Sequence, residues 1–381
     1  MQKIYIAGIG QTPVRENWEK SLKELAGEAA LLALQDADLG YPDGIFVGNM
    51  MSGTANHQLQ LGALMADWLG MHHREGLGIE SACGSGSAAF RAAVMAVASG
   101  ELSTALVVGV EKMTDSPLSE ITASLATAAD ADLEVDLGVS FVALNALVMQ
   151  RYMHEYNWKT TDFAAFSINA HANAVSNPNA RFQKAITMMD YERAGMVCEP
   201  INLLDASPVS DGAAAILITS KKPSSGKTVS VAASASATDT ISLQNRPNPL
   251  RLTAAEKSAR AAYQQAGISP QDIDLFEYHD AFSIMAALSL EAAGFCAPGQ
   301  APKLANEGEI AINGRIPVAT MGGLKARGHP VGATGIYQLV ELTLQLRGEA
   351  GKNQVSGARW GLAQNIGGSG SNITTHILHQ E

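Results

Sequence analysis

The chain has 381 residues and a formal net charge of −11, which excludes nucleic acid or an anionic membrane surface as its main partner. Its three cysteines, Cys83, Cys198 and Cys296, are odd in number and unrelated in spacing, so they form no disulfide framework and fit a reducing compartment. No apolar run approaches the roughly 18 to 20 residues that cross a bilayer, and the expectation is a soluble cytoplasmic protein acting on small polar molecules or other proteins.

In chain order, KIYIAGIG reads as a strand, SLKELAGEAALLALQDA as a helix, GIFVGNM as a strand, SGSAAFRAAVMAVAS as a helix and TALVVGVEKM as a strand. Such alternation predicts a mostly parallel sheet covered by helices. It breaks after Met113, and residues 114 to about 205 read as an inserted lobe with helices VALNALVMQRYMHEY and TDFAAFSINAHANAVS. The strand SDGAAAILITS restores the pattern, and KKPSSGK has the composition of a linker. Then follow the strand TVSVAASASA, the helix TAAEKSARAAYQQAG, the strand DIDLFEYHDAF and the last strand SGSNITTHIL.

The second half repeats the first in outline. ACGSGSAAFRAAVMAVASGE and GHPVGATGIYQLVELTLQLRGE share a small-residue turn, an amphipathic helix and a closing Gly-Glu. This match places Cys83 and His329 at the starts of equivalent helices and divides the chain into 1–220 and 226–381. A helix start favours a thiolate over a thiol. That effect supplies at most about 1 to 2 kcal/mol, so a base is required as well, and histidine is the usual one. Two histidines stand out: His329 in the glycine-rich KARGHPVGATG and His279 in EYHDAFS, at the end of an apolar strand. His72 and His73 in MHHREG read as a solvated turn, and His57, His154, His171, His376 and His379 show no turn chemistry around them. Without a CxxC pair or an HExxH motif, no metal site is expected, and Cys198 and Cys296 read as packing residues.

The ordered set SACGSGSAA, VVGVEKM, SDGAAA, HDAF, GHPVGATG and NIGGSGSN resembles the thiolase superfamily from end to end. The sterol-carrier-protein-type and archaeal members are the most similar, sharing His-Asp-x-Phe and segments such as NPNARFQ and AAGFCAPGQ. The resemblance implies an α/β thiolase fold: duplicated βαβαβαββ halves in a five-layered α/β/α/β/α core, with the inserted lobe. It implies an acetyl-CoA C-acyltransferase that forms or cleaves a 3-ketoacyl-CoA through an acyl-Cys83 intermediate, with coenzyme A thioesters as substrates and no bound cofactor. By resemblance, His329 activates Cys83. His279 and His329 form one oxyanion hole, and the backbone amides of Cys83 and Gly367 form the other. Arg181 and Lys184 are candidates for the coenzyme A phosphates.

Homodimers or dimers of dimers, and a small OB-fold partner, are further implications of the family. One departure stands against the pattern: Asn365 and Ala281 occupy the two places where relatives carry a second cysteine as acid and base. His279 is then the leading replacement base, with Cys296 behind it. Two alternatives follow, transfer of the acyl group to a non-CoA acceptor and a largely structural subunit of a thiolase-containing complex.

Overall fold

The computed structural model describes residues 2–37, 39–223 and 226–381. The first half runs β1 (Tyr5–Gln11), α1 (Leu22–Ala37), β2 (Gly44–Gly48), α2 (Leu61–Trp68), β3 (Glu75–Ile79), α3 (Ser85–Ser99) and β4 (Thr104–Glu111). The lobe contributes α4 (Phe141–Tyr156) and α5 (Ala164–Ala174), and β5 (Gly212–Thr219) closes this half. The second half runs β6 (Val229–Thr238), α6 (Thr253–Ala266), β7 (Leu275–Glu277), α7 (Ser283–Ala292), α8 (Thr334–Arg347), β8 (Trp360–Gly367) and β9 (Asn372–Gln380).

Nine strands form one mixed sheet in the order β3-β2-β4-β5-β1-β6-β9-β8-β7. Reading outward from the middle, β1-β5-β4-β2-β3 is matched by β6-β9-β8-β7, and a parallel bridge from Phe276 to Val318 stands where the fifth strand would lie. Tyr5 of β1 pairs with Ser230 of β6 to connect the two series. The buried runs of β4 and β5 are nearly continuous apolar sequence, as befits strands covered on both faces.

Three apolar clusters pack the helices against the sheet. Helices α1 and α2 pack on one face of β2, β4 and β5. Helices α3 and α8 share a central cluster with residues of both strand series, among them Val107, Ile216, Ala363 and Leu378. Helices α6 and α7 join the lobe helices α4 and α5 around β7 to β9.

The structure departs from the sequence expectation in several places. The sheet is not mostly parallel: five of its strand pairings are antiparallel and three parallel, because β5, β1, β6 and β9 meet antiparallel in its middle. Helix α8 is not amphipathic at a surface: it is buried around nearly its whole circumference, Gln338 and Glu341 included, because it is enclosed between the two halves. The expected strand over residues 272–282 shrinks to Leu275–Glu277, since Asp272 ends a 3-10 turn and the chain leaves the sheet before His279. Two strands were not anticipated, β3 (EGLGI) and β8 (WGLAQNIG). The closing glycine-rich turn therefore begins only at Gly368. Of the expected linker, residues 224 and 225 lie outside the described residues.

Candidate active site

Cys83 sits two residues before α3, in a turn that its neighbours over-determine. Ala82 takes φ +49°, a left-handed conformation that costs a non-glycine residue about 1–2 kcal/mol. Ser85 holds it there: its Oγ accepts from the Ser81 amide at 2.9 Å and donates to the Ala82 carbonyl at 2.6 Å. The thiol is packed among Met51, Met113, Ile121 and Val331. Burial, reinforced by the Glu111 carboxylate, pushes it up to about 12. Loss of water outweighs the pull of the helix start, and the need for a base stands.

The smallness of the neighbours has a backbone cause. A Cβ on Gly84 would lie 3.0 Å from the Ser81 carbonyl oxygen, and one on Gly367 would lie 2.5 Å from the same atom. The turn bearing Cys83 therefore packs directly on the end of β8. A second close contact joins the helices: a Cβ on Gly86 would fall 2.7 Å from the Gly332 carbonyl, and one on Gly335 would fall 2.6 Å from the Ser87 amide. Helices α3 and α8 meet main chain to main chain at their starts.

The two helices end at left-handed glycines, Gly100 and Gly348. Counting back equally from these, Cys83 corresponds to Val331, while His329 corresponds to Ser81. The sequence match was two residues out of register, since α8 is approached through an extra 3-10 turn at Val331–Ala333.

Both histidines are buried and neutral, and their partners assign them opposite tautomers. Thr334 Oγ1 donates to the Pro330 carbonyl at 3.3 Å, and the same oxygen lies 2.7 Å from His329 Nδ1. Pro330 O can only accept, and with the hydroxyl proton directed to it Oγ1 accepts from Nδ1–H. The Nε2 of His329 is left with a lone pair. His279 is reversed. Its Nδ1 accepts from the Ile366 amide at 3.3 Å and from Asn365 Nδ2 at 2.9 Å. A backbone amide can only donate, so the ring proton of His279 is on Nε2.

The two rings stand edge to face, with centroids 5.1 Å apart. The side-chain ligand atoms of Cys83, His279 and His329 all lie within 4.8 Å of one another. Burial first, then Arg327, lowers His279 to about 3. Burial, then His279 and Arg327, holds His329 well below the usual histidine range. A thiol and two imidazoles are also a donor set that zinc favours. His279 Nε2 carries the ring proton, however, so a metal would gain that ligand only by displacing it.

Sequence reasoning missed Glu111, which is fully buried at the end of β4. Its carboxylate accepts from Met50 N at 3.0 Å, Met51 N at 3.1 Å, Gly332 N at 2.9 Å and Asn49 Nδ2 at 2.8 Å. Burial raises it to about 7 against the pull of these donors. Since every partner donates, the ionised form satisfies the geometry, and it ties the loop beside Cys83 to the loop after His329. The sequence signal was a lone charge closing an apolar strand, VVGVEK.

The other candidates are placed as follows. Arg181 is committed to an ion pair with Glu16 at 2.7 Å, while its amide donates to the Arg327 carbonyl at 2.9 Å. Lys184 lies on the exposed surface of the lobe. Cys296 packs against the third apolar cluster, and burial with nearby Glu291 pushes its thiol up to about 12. Asn365 and Ala281 are both buried, and neither carries a titratable proton. Behind the histidines, Arg327 is fully buried with its Nε 3.2 Å from Glu341 and its guanidinium 4.8 Å from the centre of the Tyr337 ring.

Residues 4–222 match the model of the thiolase N-terminal domain, and residues 235–380 match the thiolase C-terminal domain-like model. An acetyl-CoA acetyltransferase of Methanothermobacter thermautotrophicus is 41% identical, covering 99% of this chain and 100% of its own. Human sterol carrier protein 2 is 31% identical, covering 98% of this chain and 72% of its own. Among solved structures, a chain described as the Ltp2-ChsH2(DUF35) aldolase superposes with a TM-score of 0.86 at 25% identity, covering 100% of this chain and 98% of its own.

Proposed function

The chain belongs to the thiolase superfamily and is a thiolase-type acyltransferase, and from that premise we propose that it makes or cleaves a 3-ketoacyl-CoA through an acyl-Cys83 intermediate, with acetyl-CoA as acyl donor. The observation that carries the reading is the position of Cys83 beside His329, whose Nε2 lone pair, unlike that on His279 Nδ1, is not taken by a donor among the described residues. His329 Nε2 takes the Sγ proton as sulfur attacks the thioester carbon. The developing oxyanion meets the amides of Cys83 and Gly367. The carbon–sulfur bond to coenzyme A then breaks, and the departing thiolate takes the proton back from His329.

In the second stage the incoming thioester oxygen accepts from His279 Nε2–H, which stabilises its enolate. The five-layered arrangement of two halves, 1–220 and 226–381, belongs to the same proposal and is supported by the repeated strand order. So does a homodimer: β3 is an exposed edge strand, and an unpaired edge invites a second strand. Lys184, but not the engaged Arg181, is free to meet a coenzyme A phosphate. A small OB-fold partner is supported by the similarity to a chain described together with a DUF35 protein. Among the described residues no helix is long and apolar enough to cross a membrane.

Cys83→Ala should abolish thiolysis of acetoacetyl-CoA, and the wild-type protein should show one acetyl adduct on Cys83 by mass spectrometry. Undiminished turnover in the variant would end this reading. The similarity to a chain described as an aldolase favours a second reading, in which the fold makes or breaks a carbon–carbon bond to an acceptor that is not a CoA thioester. Acetyl-CoA alone separates the two: the first yields acetoacetyl-CoA, the second only acetylated Cys83. A purely structural subunit would carry neither.

A further inference from the structure

Condensation of two acetyl units requires a base for the methyl proton of the second one, and the opposite tautomers of the two histidines decide which atom can serve. Once Cys83 carries the acyl group, its sulfur is no base. His279 Nδ1 is filled by the Ile366 amide and the Asn365 side chain, and its Nε2 bears a proton. Asn365 and Ala281 offer no lone pair of useful basicity. The Glu111 carboxylate is surrounded by four donors, and Asp280, whose Oδ1 accepts from the Leu324 amide at 2.8 Å and whose Oδ2 lies against Gly323, stands outside the cluster of Cys83, His279 and His329. The lone pair on His329 Nε2 is what remains within the cluster.

We infer that this is a one-base enzyme: His329 Nε2 removes both the Cys83 thiol proton in acylation and the α-proton of the acceptor in condensation. This rests on the acyl-Cys83 reading. The proton count closes. Coenzyme A leaves with the first proton, so Nε2 is empty when the second thioester arrives. Nε2 then takes the α-proton, the resulting enolate carbon attacks the acyl carbon, the carbon–Sγ bond breaks, and the Cys83 thiolate recovers the proton from His329. In this scheme Asn365 is a positioning residue. With the Ile366 amide it keeps His279 a permanent donor, so that the two imidazoles never exchange roles.

The test isolates the α-proton step with a methyl ketone analogue of acetyl-CoA in which methylene replaces the thioester sulfur, so that it cannot acylate Cys83. Exchange of its methyl protons in deuterated buffer is followed by proton NMR. The wild-type protein should catalyse exchange, His329→Asn should lose it by about 100-fold or more, and His279→Asn, whose amide still donates, should slow it yet retain it. Loss in His279→Asn with retention in His329→Asn would transfer the role to His279 and overturn the inference. Loss in Cys83→Ala would assign the base to the thiolate and overturn it too, as would a wild-type protein that exchanges nothing.

Acetylation of Cys83 by acetyl-CoA itself, read by mass spectrometry on the same wild-type sample, tests the underlying acyl-enzyme separately. Thermal unfolding and coenzyme A binding of each variant show whether the fold is intact. His329→Gln, which restores length without a ring lone pair, should exchange no better than His329→Asn.

Discussion

Thr334 is buried at the first turn of α8 and touches no substrate, yet its hydroxyl decides which nitrogen of His329 is free. Thr334→Val keeps the shape and removes the acceptor for Nδ1–H. The productive tautomer would then carry a buried, unpaired N–H, at a cost of about 1–3 kcal/mol. At about 1.4 kcal/mol per factor of ten, its population falls about 5- to 150-fold, and kcat for acetoacetyl-CoA thiolysis should fall by the same factor. KM should change little, because no substrate contact is lost. Thr334→Ser supplies the same oxygen and should recover most of the rate. The hydroxyl also donates to Pro330, so the valine variant will unfold at a lower temperature. Stability alone, however, would not give a kcat loss that serine reverses. A valine variant with full kcat, or a serine variant equally impaired, would refute the tautomer assignment.

Two further outcomes follow from the buried charges. With the thiol raised to about 12 and His279 lowered to about 3, the reactive groups are neutral at rest. The rate of Cys83 acylation by acetyl-CoA should then be nearly flat from about pH 8 to pH 10 and fall only as Glu111, raised to about 7, takes a proton. The sign is set by His329: acid would remove its lone pair, but its depressed pKa moves that loss well below the ordinary histidine range. An acid limb near pH 6.5 that persists in Glu111→Gln would contradict this. Glu111→Gln would turn an amide N–H toward donors that already crowd the carboxylate. It should cost about 1–3 kcal/mol in urea unfolding and also slow acylation, as the loops carrying Asn49 and Gly332 separate. An unchanged unfolding midpoint would count against the role given to Glu111.

Much of the fold could be read from the chain because its strongest signals are local. The turn SACGSGSAA announced itself by small residues, and GHPVGATG did the same. Strand β8 escaped because WGLAQNIG carries glycine and polar residues where a strand usually shows branched apolar ones. Its character comes from pairing with β9 and β7, which no short window contains. Helix α8 looked amphipathic because Gln338 and Glu341 are polar, yet they face buried partners: the Tyr278 carbonyl accepts from Gln338, and Arg327 pairs with Glu341. The positions of Cys83, His279 and His329 were legible. Their protonation was not, because the partner that fixes His279 is a main-chain amide 87 residues away.

The main-chain contact between α3 and α8 has a further meaning. Equal counting from Gly100 and Gly348 maps Cys83 onto Val331 and Ser81 onto His329. The internal correspondence therefore generates two images of the cysteine–histidine pair across one helix contact, and in the second image Val331 stands for Cys83 and Ser81 for His329. The duplicated architecture has been loaded with chemistry on one side only, and the other side serves as its wall: Val331 packs against Cys83, and the Ser81 carbonyl is the surface on which Gly84 and Gly367 close.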